Sequence, residues 1–145
     1  MTERKPFGGL YDEIHELFDE LWQMPRLATS RAGFRPRVDV FRAADPPELT
    51  VVVELAGVDP EHVHVFAEER ALVISGERHR PPVKARYHHL EIDYGPFQRR
   101  FLLPEDVDTA AARAEYRRGL LSITLPVVER PPEPRGRVAI EVGRR

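Results

Sequence analysis

The chain has 145 residues, 41% of them hydrophobic, which is enough for one domain core and argues against global disorder. A formal net charge of −2 gives nucleic acid or an anionic membrane no electrostatic footprint, so neither is expected as a partner. The chain has no cysteine, which excludes disulfides and thiolate zinc sites, and no apolar run near the roughly 20 residues of a membrane span. No apolar stretch follows the first charges as in a signal peptide, so we expect a cytoplasmic protein.

Residues 1–36 are expected to form a helical or flexible arm. One apolar stripe recurs there at helical spacing: Leu10, Ile14, Leu17, Phe18, Leu21 and Trp22. Pro25 ends the pattern, because proline disfavours a helical conformation in the residue before it. Such a stripe either packs on its own domain or is offered to other proteins.

From residue 37 to residue 127 the apolar period changes from helical to two. Alternation is clearest at Leu49, Val51 and Val53, and at Leu121 and Ile123. The short alternating runs are separated by glycine and proline, and no helical pattern lies between them. This region is therefore predicted to be an all-β, antiparallel sandwich. The polar, basic stretch from Glu77 to Asp93 is long for a loop, and loops of that length are usually functional or disordered.

Residues 128–145 are expected to form an extended C-terminal segment. Prolines at 131, 132 and 134 predict a stiff spacer, and Val138, Ile140 and Val142 then alternate at the period of a strand. This strand has no hairpin partner nearby in sequence. Its backbone and apolar side chains must therefore find a groove or a sheet edge elsewhere.

A search for catalytic chemistry finds no convincing constellation, so we predict no catalytic residue, no cofactor and no enzyme activity. His62 and His64 share a strand face, and His88-His89 lies in the long loop, so these imidazoles could bind a metal. No carboxylate is spaced to complete such a site, which favours a solvated strand face and no metal. Ser75 lacks the glycine pattern of a nucleophile elbow.

Three segments carry a recognisable pattern. Residues 112–126 read as two strands separated by a glycine-leucine break and closed by Pro126, and residues 94–104 contain tyrosine-glycine-x-phenylalanine-x-arginine. Leu55-Ala56-Gly57-Val58 reads as a leucine-x-glycine-valine turn. Together they resemble the α-crystallin domain of small heat-shock proteins of the bacterial type. The resemblance implies an immunoglobulin-like sandwich over 37–127 with the arm before it and the tail after it.

The tail is similar to the family's isoleucine-x-isoleucine/valine anchor, which docks in a groove of a neighbouring subunit. Ile140 and Val142 fit this anchor, and Val138 with Ile140 is an equally spaced alternative. The resemblance implies a groove formed by these residues: Val63, Val65, Ala112, Ala114, Tyr116, Leu121 and Ile123.

The long loop resembles the element that bacterial-type members exchange between the two subunits of a dimer. The residues implied in this contact are Tyr87, His88, His89, Leu90 and Arg99. Ile92 stands where many relatives have an arginine, so we expect the dimer interface to be built differently here.

The resemblance implies an ATP-independent chaperone, a holdase, whose partners are unfolding client proteins and further copies of this chain. Homodimers would assemble into larger homo-oligomers, and the apolar stripe from Leu10 to Trp22 would bind clients. The alternative is a co-chaperone-like β-sandwich that docks on a single protein partner. That module would not need the tail anchor.

Overall fold

The computed structural model describes residues 33–68, 70–129 and 136–144. The apolar stripe predicted as a helix and the proline spacer lie outside these residues. Within the described residues, nine strands form two sheets and two short 3-10 turns precede strands. In chain order, the strands are β1 (Val38–Ala44), β2 (Pro47–Glu54), β3 (Val63–Glu68), β4 (Ala71–Arg78), β5 (Gly95–Leu102), β6 (Arg113–Arg117), β7 (Leu120–Pro126), β8 (Val138–Ile140) and β9 (Val142–Arg144).

A five-stranded sheet has the order β1-β2-β7-β6-β9, and a four-stranded sheet has the order β5-β4-β3-β8. The antiparallel sandwich predicted from the period-two pattern is confirmed. One pair departs from it, because β9 runs parallel to β6. The 3-10 turns, Pro60–His62 and Thr109–Ala111, lead into β3 and towards β6.

The core lies between the two sheets and is made by the alternating apolar positions. Val51 on β2 pairs with Ile123 on β7, and both are fully buried. Val65 and Ile74 pair in the same way on the four-stranded sheet. Since successive side chains of a strand point to opposite faces, the period-two pattern gives one buried face on each of β2, β3 and β7.

A two-residue hairpin joins β6 to β7. Arg118 and Gly119 both have positive φ, 53° and 79°, which is the conformation of a type I′ turn. A Cβ at Gly119 would lie 3.1 Å from the Cα of Ala56, so glycine is needed for space as well as for conformation. The carbonyl of Gly119 accepts a 2.7 Å bond from the amide of Leu55, which ties this hairpin to the end of β2.

Residues 33–37, which we term the N-terminal strap, precede β1 and contact β5. The amide of Phe34 donates to the carbonyl of Pro96, and its ring meets that of Phe97 edge-on with centroids 5.6 Å apart. The guanidinium of Arg78 lies 3.5 Å from the centroid of the Phe34 ring. The strap is therefore held by an edge-to-face aromatic contact and a cation–π contact.

The far end of the strap reaches the other sheet. The Arg99 side chain on β5 donates to the carbonyl of Pro36 at 2.6 Å, and the amide of Glu54 on β2 donates to the carbonyl of Arg37 at 2.9 Å. Burial lowers the pKa of Arg99, and the nearby Arg35 charge lowers it further. The strap thus links β5 of one sheet to β2 of the other.

Candidate functional site

Without the last two strands, β3 and β6 would be the edges of their sheets, and we term the opening that they border the tail groove. Residues 136–144, the docked tail, fill it. Strand β8 pairs antiparallel with β3, placing Ile140 opposite Val65. Strand β9 pairs parallel with β6, placing Val142 opposite Ala114. The tail therefore passes from one sheet to the other at Glu141, whose side chain is exposed.

Apolar side chains of the docked tail enter the sandwich core. Ile140 is 8% exposed and belongs to the buried core cluster, while Val142 is partly buried against it. Val138 pairs with Ala67 further along β3. Of the two registers that the sequence left open, the structure places Ile140 and Val142 across the groove, one on each edge strand, with Val138 at its margin.

The residues that the resemblance implied for the groove fall into two layers. Val63 and Val65 lie on β3, Ala114 and Tyr116 lie on β6, and Ala112 immediately precedes β6. Leu121 and Ile123 lie on β7, the next strand inward, and are completely buried. They form the core behind β6 and do not line its open edge.

The groove is filled from within one chain, whereas the resemblance implied the tail of a neighbouring subunit. The backbone ladders pair three tail residues with β3 and three with β6. These contacts involve only residues 138–144, which lie well beyond β7 in the sequence. The same ladders are available to any tail of the same sequence that reaches the groove.

Ion pairs bracket the docked tail. The Nε atom of Arg137 lies 2.5 Å from Oε1 of Glu68 at the end of β3. The Nη2 atom of Arg144 lies 3.3 Å from Oδ1 of Asp59, ahead of β3. Sequence reasoning did not identify these four residues. The available signal was two arginines placed on either side of the apolar triplet.

Tyr116 ties the floor of the groove to the end of β2. Its hydroxyl donates to the carbonyl of Leu55 at 2.9 Å. Burial raises the pKa of this phenol above its ordinary value of 10.0; the Arg144 charge lowers it and the Asp59 charge raises it. The phenol therefore stays neutral, and its hydrogen bond stays formed, over the ordinary pH range.

A family model described as "Hsp20/alpha crystallin family" matches residues 42–142, a span that includes both edge strands and the anchor residues of the docked tail. The chain belongs to the Hsp20/alpha crystallin family. The family resemblance inferred from the sequence is thereby confirmed.

Relatives and solved structures agree with this membership. Heat shock protein 16 of Schizosaccharomyces pombe is 33% identical over 132 residues, covering 87% of this chain and 91% of that protein. Small heat shock protein C2 of Rickettsia felis is 26% identical over 131 residues, covering 89% and 82%.

Among solved structures, the hspA protein of Xanthomonas axonopodis superposes with a TM-score of 0.60 at 33% identity, covering 66% of this chain and 96% of that one. A small heat-shock protein of Xylella fastidiosa superposes with a TM-score of 0.60 at 31% identity, covering 74% and 98%. Membership and these structures support a chaperone role.

The long loop of this Hsp20 domain connects β4 to β5 and spans residues 79–94. Tyr87 and Leu90 are 46% and 59% exposed, and His89 pairs with Glu91 at 3.0 Å. His88 is exposed in the same loop. Arg99 lies apart from them, on β5 beneath the strap. The exchange of this loop between subunits stays a prediction.

The histidines considered for a metal site do not come together. His62 closes a 3-10 turn and contacts the ring of His79, with centroids 5.6 Å apart, while His64 lies on β3. Across residues 33–68, 70–129 and 136–144, no group of three or more His, Asp or Glu side chains is arranged to hold a metal ion. No helix in the same residues is long and apolar enough to span a membrane.

Proposed function

We propose that this chain is an ATP-independent holdase of the cytoplasm that works as a dynamic homo-oligomer without enzymatic activity. The observation that carries the proposal is the docked tail, a short apolar segment that fits an open groove of an Hsp20 domain. Tails that reach the groove of a second copy would join subunits through the same ladders. The crystal structure of the Xylella fastidiosa protein reveals a distinct high order structure for that relative.

The size of the contact favours reversible assembly. Burying Ile140 and Val142 contributes roughly 3–6 kcal/mol gross, at about 1.5–3 kcal/mol each. Joining two separate molecules costs an estimated 4–15 kcal/mol in lost translational and rotational freedom. One tail between two subunits therefore binds weakly and exchanges. Several tails per assembly raise the effective concentration and hold it together.

The homodimer unit of the proposal uses the long loop. Its apolar side chains Tyr87, Leu90 and Ile92 lie largely in solvent in the single chain. Strand β1 is the edge of its sheet and also presents an exposed aromatic side chain, Phe41. Covering these groups with a second copy would remove apolar surface from water.

Client capture is assigned to the apolar stripe of the arm, Leu10 to Trp22. Binding by apolar area needs no directed hydrogen bonds, which suits a protein that must accept many unfolded sequences. Binding of this kind consumes no chemical energy, so the proposed activity is to hold clients without acting on them. Refolding of the held clients would require other proteins.

The test is suppression of light scattering from a heat-unfolding model protein, with and without ATP. The full chain should suppress aggregation equally in both conditions. A Leu17→Ala/Phe18→Ala/Trp22→Ala variant should lose most of the effect. A matched variant on the polar side of the same segment, Asp12→Ala/Glu16→Ala/Glu20→Ala, should keep it. If the full chain leaves aggregation unchanged, the proposal is wrong.

Deletion of residues 138–145 separates the holdase from a module that docks on a single partner. The holdase proposal expects a smaller assembly, measured by light scattering after size-exclusion chromatography. An unchanged assembly size would favour the single-partner module, which has no use for a tail anchor.

A further inference from the structure

The apolar residues of the tail do not by themselves fix how it sits in the groove. Val138, Ile140 and Val142 repeat every second residue, so sliding the tail by two positions would still place Val138 and Ile140 where Ile140 and Val142 now lie. A slide of two residues moves the backbone by about 7 Å. Any group that distinguishes these registers must therefore lie outside the triplet.

The charged residues on either side of the apolar triplet distinguish the two registers of the tail. Arg137 meets Glu68, and Arg144 meets Asp59. A slide of two residues would bring Arg135 to the place of Arg137 beside Glu68, but it would bring Val142 to the place of Arg144 beside Asp59. The observed register is the one that satisfies both ends.

The two carboxylates are held at fixed points of the domain. Glu68 is the last residue of β3, whereas Asp59 caps the 3-10 turn that leads into β3 and accepts a 3.1 Å bond from the amide of Glu61. They therefore stand at opposite ends of the strand on which the tail docks. Their separation is set by the length of β3, not by side-chain freedom.

We propose that Glu68 and Asp59 act as a two-point charge clamp that selects both the register and the identity of the docking segment. The groove would bind an extended segment that carries Ile-x-Val most tightly when arginines stand at the matching positions on both sides. This inference rests on the proposed role of the tail in joining subunits. It adds that the linkage is specific for tails of this chain's charge pattern.

The two ion pairs differ in how far their side chains are exposed to water. The Arg137 and Glu68 side chains are 20% and 35% exposed, whereas those of Arg144 and Asp59 are 68% and 47% exposed. Water screens an exposed pair more strongly, so the Glu68 pair is expected to contribute more to docking, whereas the Asp59 pair is the one that distinguishes the two registers. Reversing one charge of the Glu68 pair converts an attraction into a repulsion, which discriminates more than removing it.

The experiment uses two full-length variants, Glu68→Arg and Arg137→Glu. Each alone places like charges at this end of the groove, whichever chain supplies the tail. When the two are mixed, the groove of each variant meets an oppositely charged side chain on the tail of the other. In the observed register, neither variant can form an opposite-charge pair at this end within its own chain, so recovery in the mixture reports docking between chains.

We expect each variant alone to dissociate at about three- to tenfold higher protein concentration than the wild type, and the mixture and the E68R/R137E double variant to return to near the wild-type value. Analytical ultracentrifugation gives the concentrations, and native mass spectrometry of one isotope-labelled variant shows the mixed assemblies. Circular dichroism checks that each variant keeps the sandwich. Single variants that assemble like the wild type, or a mixture that does not recover, would overturn the clamp.

An Ile140→Ser/Val142→Ser variant keeps this outcome separate from the proposed function. If it shrinks the assembly while both charge variants do not, the clamp is wrong and the tail linkage stands. If it too leaves the assembly unchanged, the tail linkage itself fails. At the exposed end, Asp59→Asn retains a capping side chain and removes the charge, and we expect a change of about twofold or less.

Discussion

Two segments link the sheets at opposite edges of the sandwich, and they do so by different means. The N-terminal strap packs by rings and guanidinium groups, with Phe34 between Phe97 and Arg78. The docked tail pairs by backbone ladders on β3 and β6 and inserts Ile140 into the core. The strap continues directly into β1, so it cannot leave without disturbing the pairing of β1 with β2. The tail is connected along the chain to β7 through residues 127–135.

Under the proposed function, the strap is a permanent closure of the sandwich and the tail is an exchangeable one. Edge-to-face aromatic and cation–π contacts of a strap next to β1 contribute to folding of the domain itself. Pairing of a distant segment with β3 and β6 would contribute to docking, which the tail of a second copy is proposed to supply as well. Substitutions in the strap or in the tail, made separately, show whether the free energy of unfolding or the size of the assembly changes.

The largest effect is expected for Phe34→Ala. It removes the ring that contacts both Phe97 and Arg78, and should lower the free energy of unfolding by about 3 kcal/mol, at the lower end for a phenylalanine because Phe34 is only partly buried. Chemical denaturation measures this. Leu102→Ala is the control, since that side chain is 84% exposed, belongs to no proposed contact and should matter little. Equal losses for both would contradict a structural role for the strap.

Ile140→Ala should weaken tail docking by about 2 kcal/mol, because it removes a buried side chain at the edge of the core. Assembly size should fall, measured by size-exclusion chromatography with light scattering. The unfolding free energy should fall less than for Phe34→Ala. Glu141→Ala, at the exposed neighbouring position, is the control. An unfolding loss as large as that of Phe34→Ala would show that the tail is part of the folding core.

Arg78→Lys tests the strap from the other side. Lysine keeps the charge but loses the planar group that stacks on Phe34 and donates to the carbonyl of Asp93 through two nitrogens. We expect unfolding to be easier by about 1 kcal/mol with no change in assembly size. A reduced assembly with unchanged unfolding would instead assign Arg78 to subunit contacts through the long loop.

An effect no larger than that of Arg78→Lys is expected for Tyr116→Phe, which removes the hydrogen bond to the carbonyl of Leu55 and should cost about 1 kcal/mol of unfolding free energy. Because folding raises the pKa of this phenol, its contribution is complete below pH 10.0 and is lost as the pH rises through the raised pKa. Denaturation of both proteins across this range gives the test. The advantage of the wild type should shrink only at the alkaline end, and a constant difference would contradict it.

The sandwich could be predicted from the sequence because its signal is local. On β7, Leu121, Ile123 and Leu125 alternate with Ser122 and Thr124, and the structure buries the apolar three. The long loop was also predictable, since the alternation stops there and its exposed residues are mostly polar. Both conclusions needed only neighbouring residues.

The remaining features depend on contacts between distant parts of the chain. Strand β9 contains Val142, Gly143 and Arg144, which show no strand-like alternation, and it forms only because β6 offers an edge. The contact of Phe34 with Arg78 and the ion pair of Glu68 with Arg137 require the final register of the sheets. No periodicity in the sequence encodes which partners these residues meet.

The docked tail meets one neighbour antiparallel and the other parallel. Only one chain polarity satisfies both ladders, because a segment entering from the opposite end would invert each of them and shift every amide relative to its acceptor. Each link between copies would then be directional, from the chain that supplies the tail to the chain that supplies the groove. Two copies that exchange tails reciprocally would form two such links related by a two-fold axis, whereas one-way donation would extend from copy to copy.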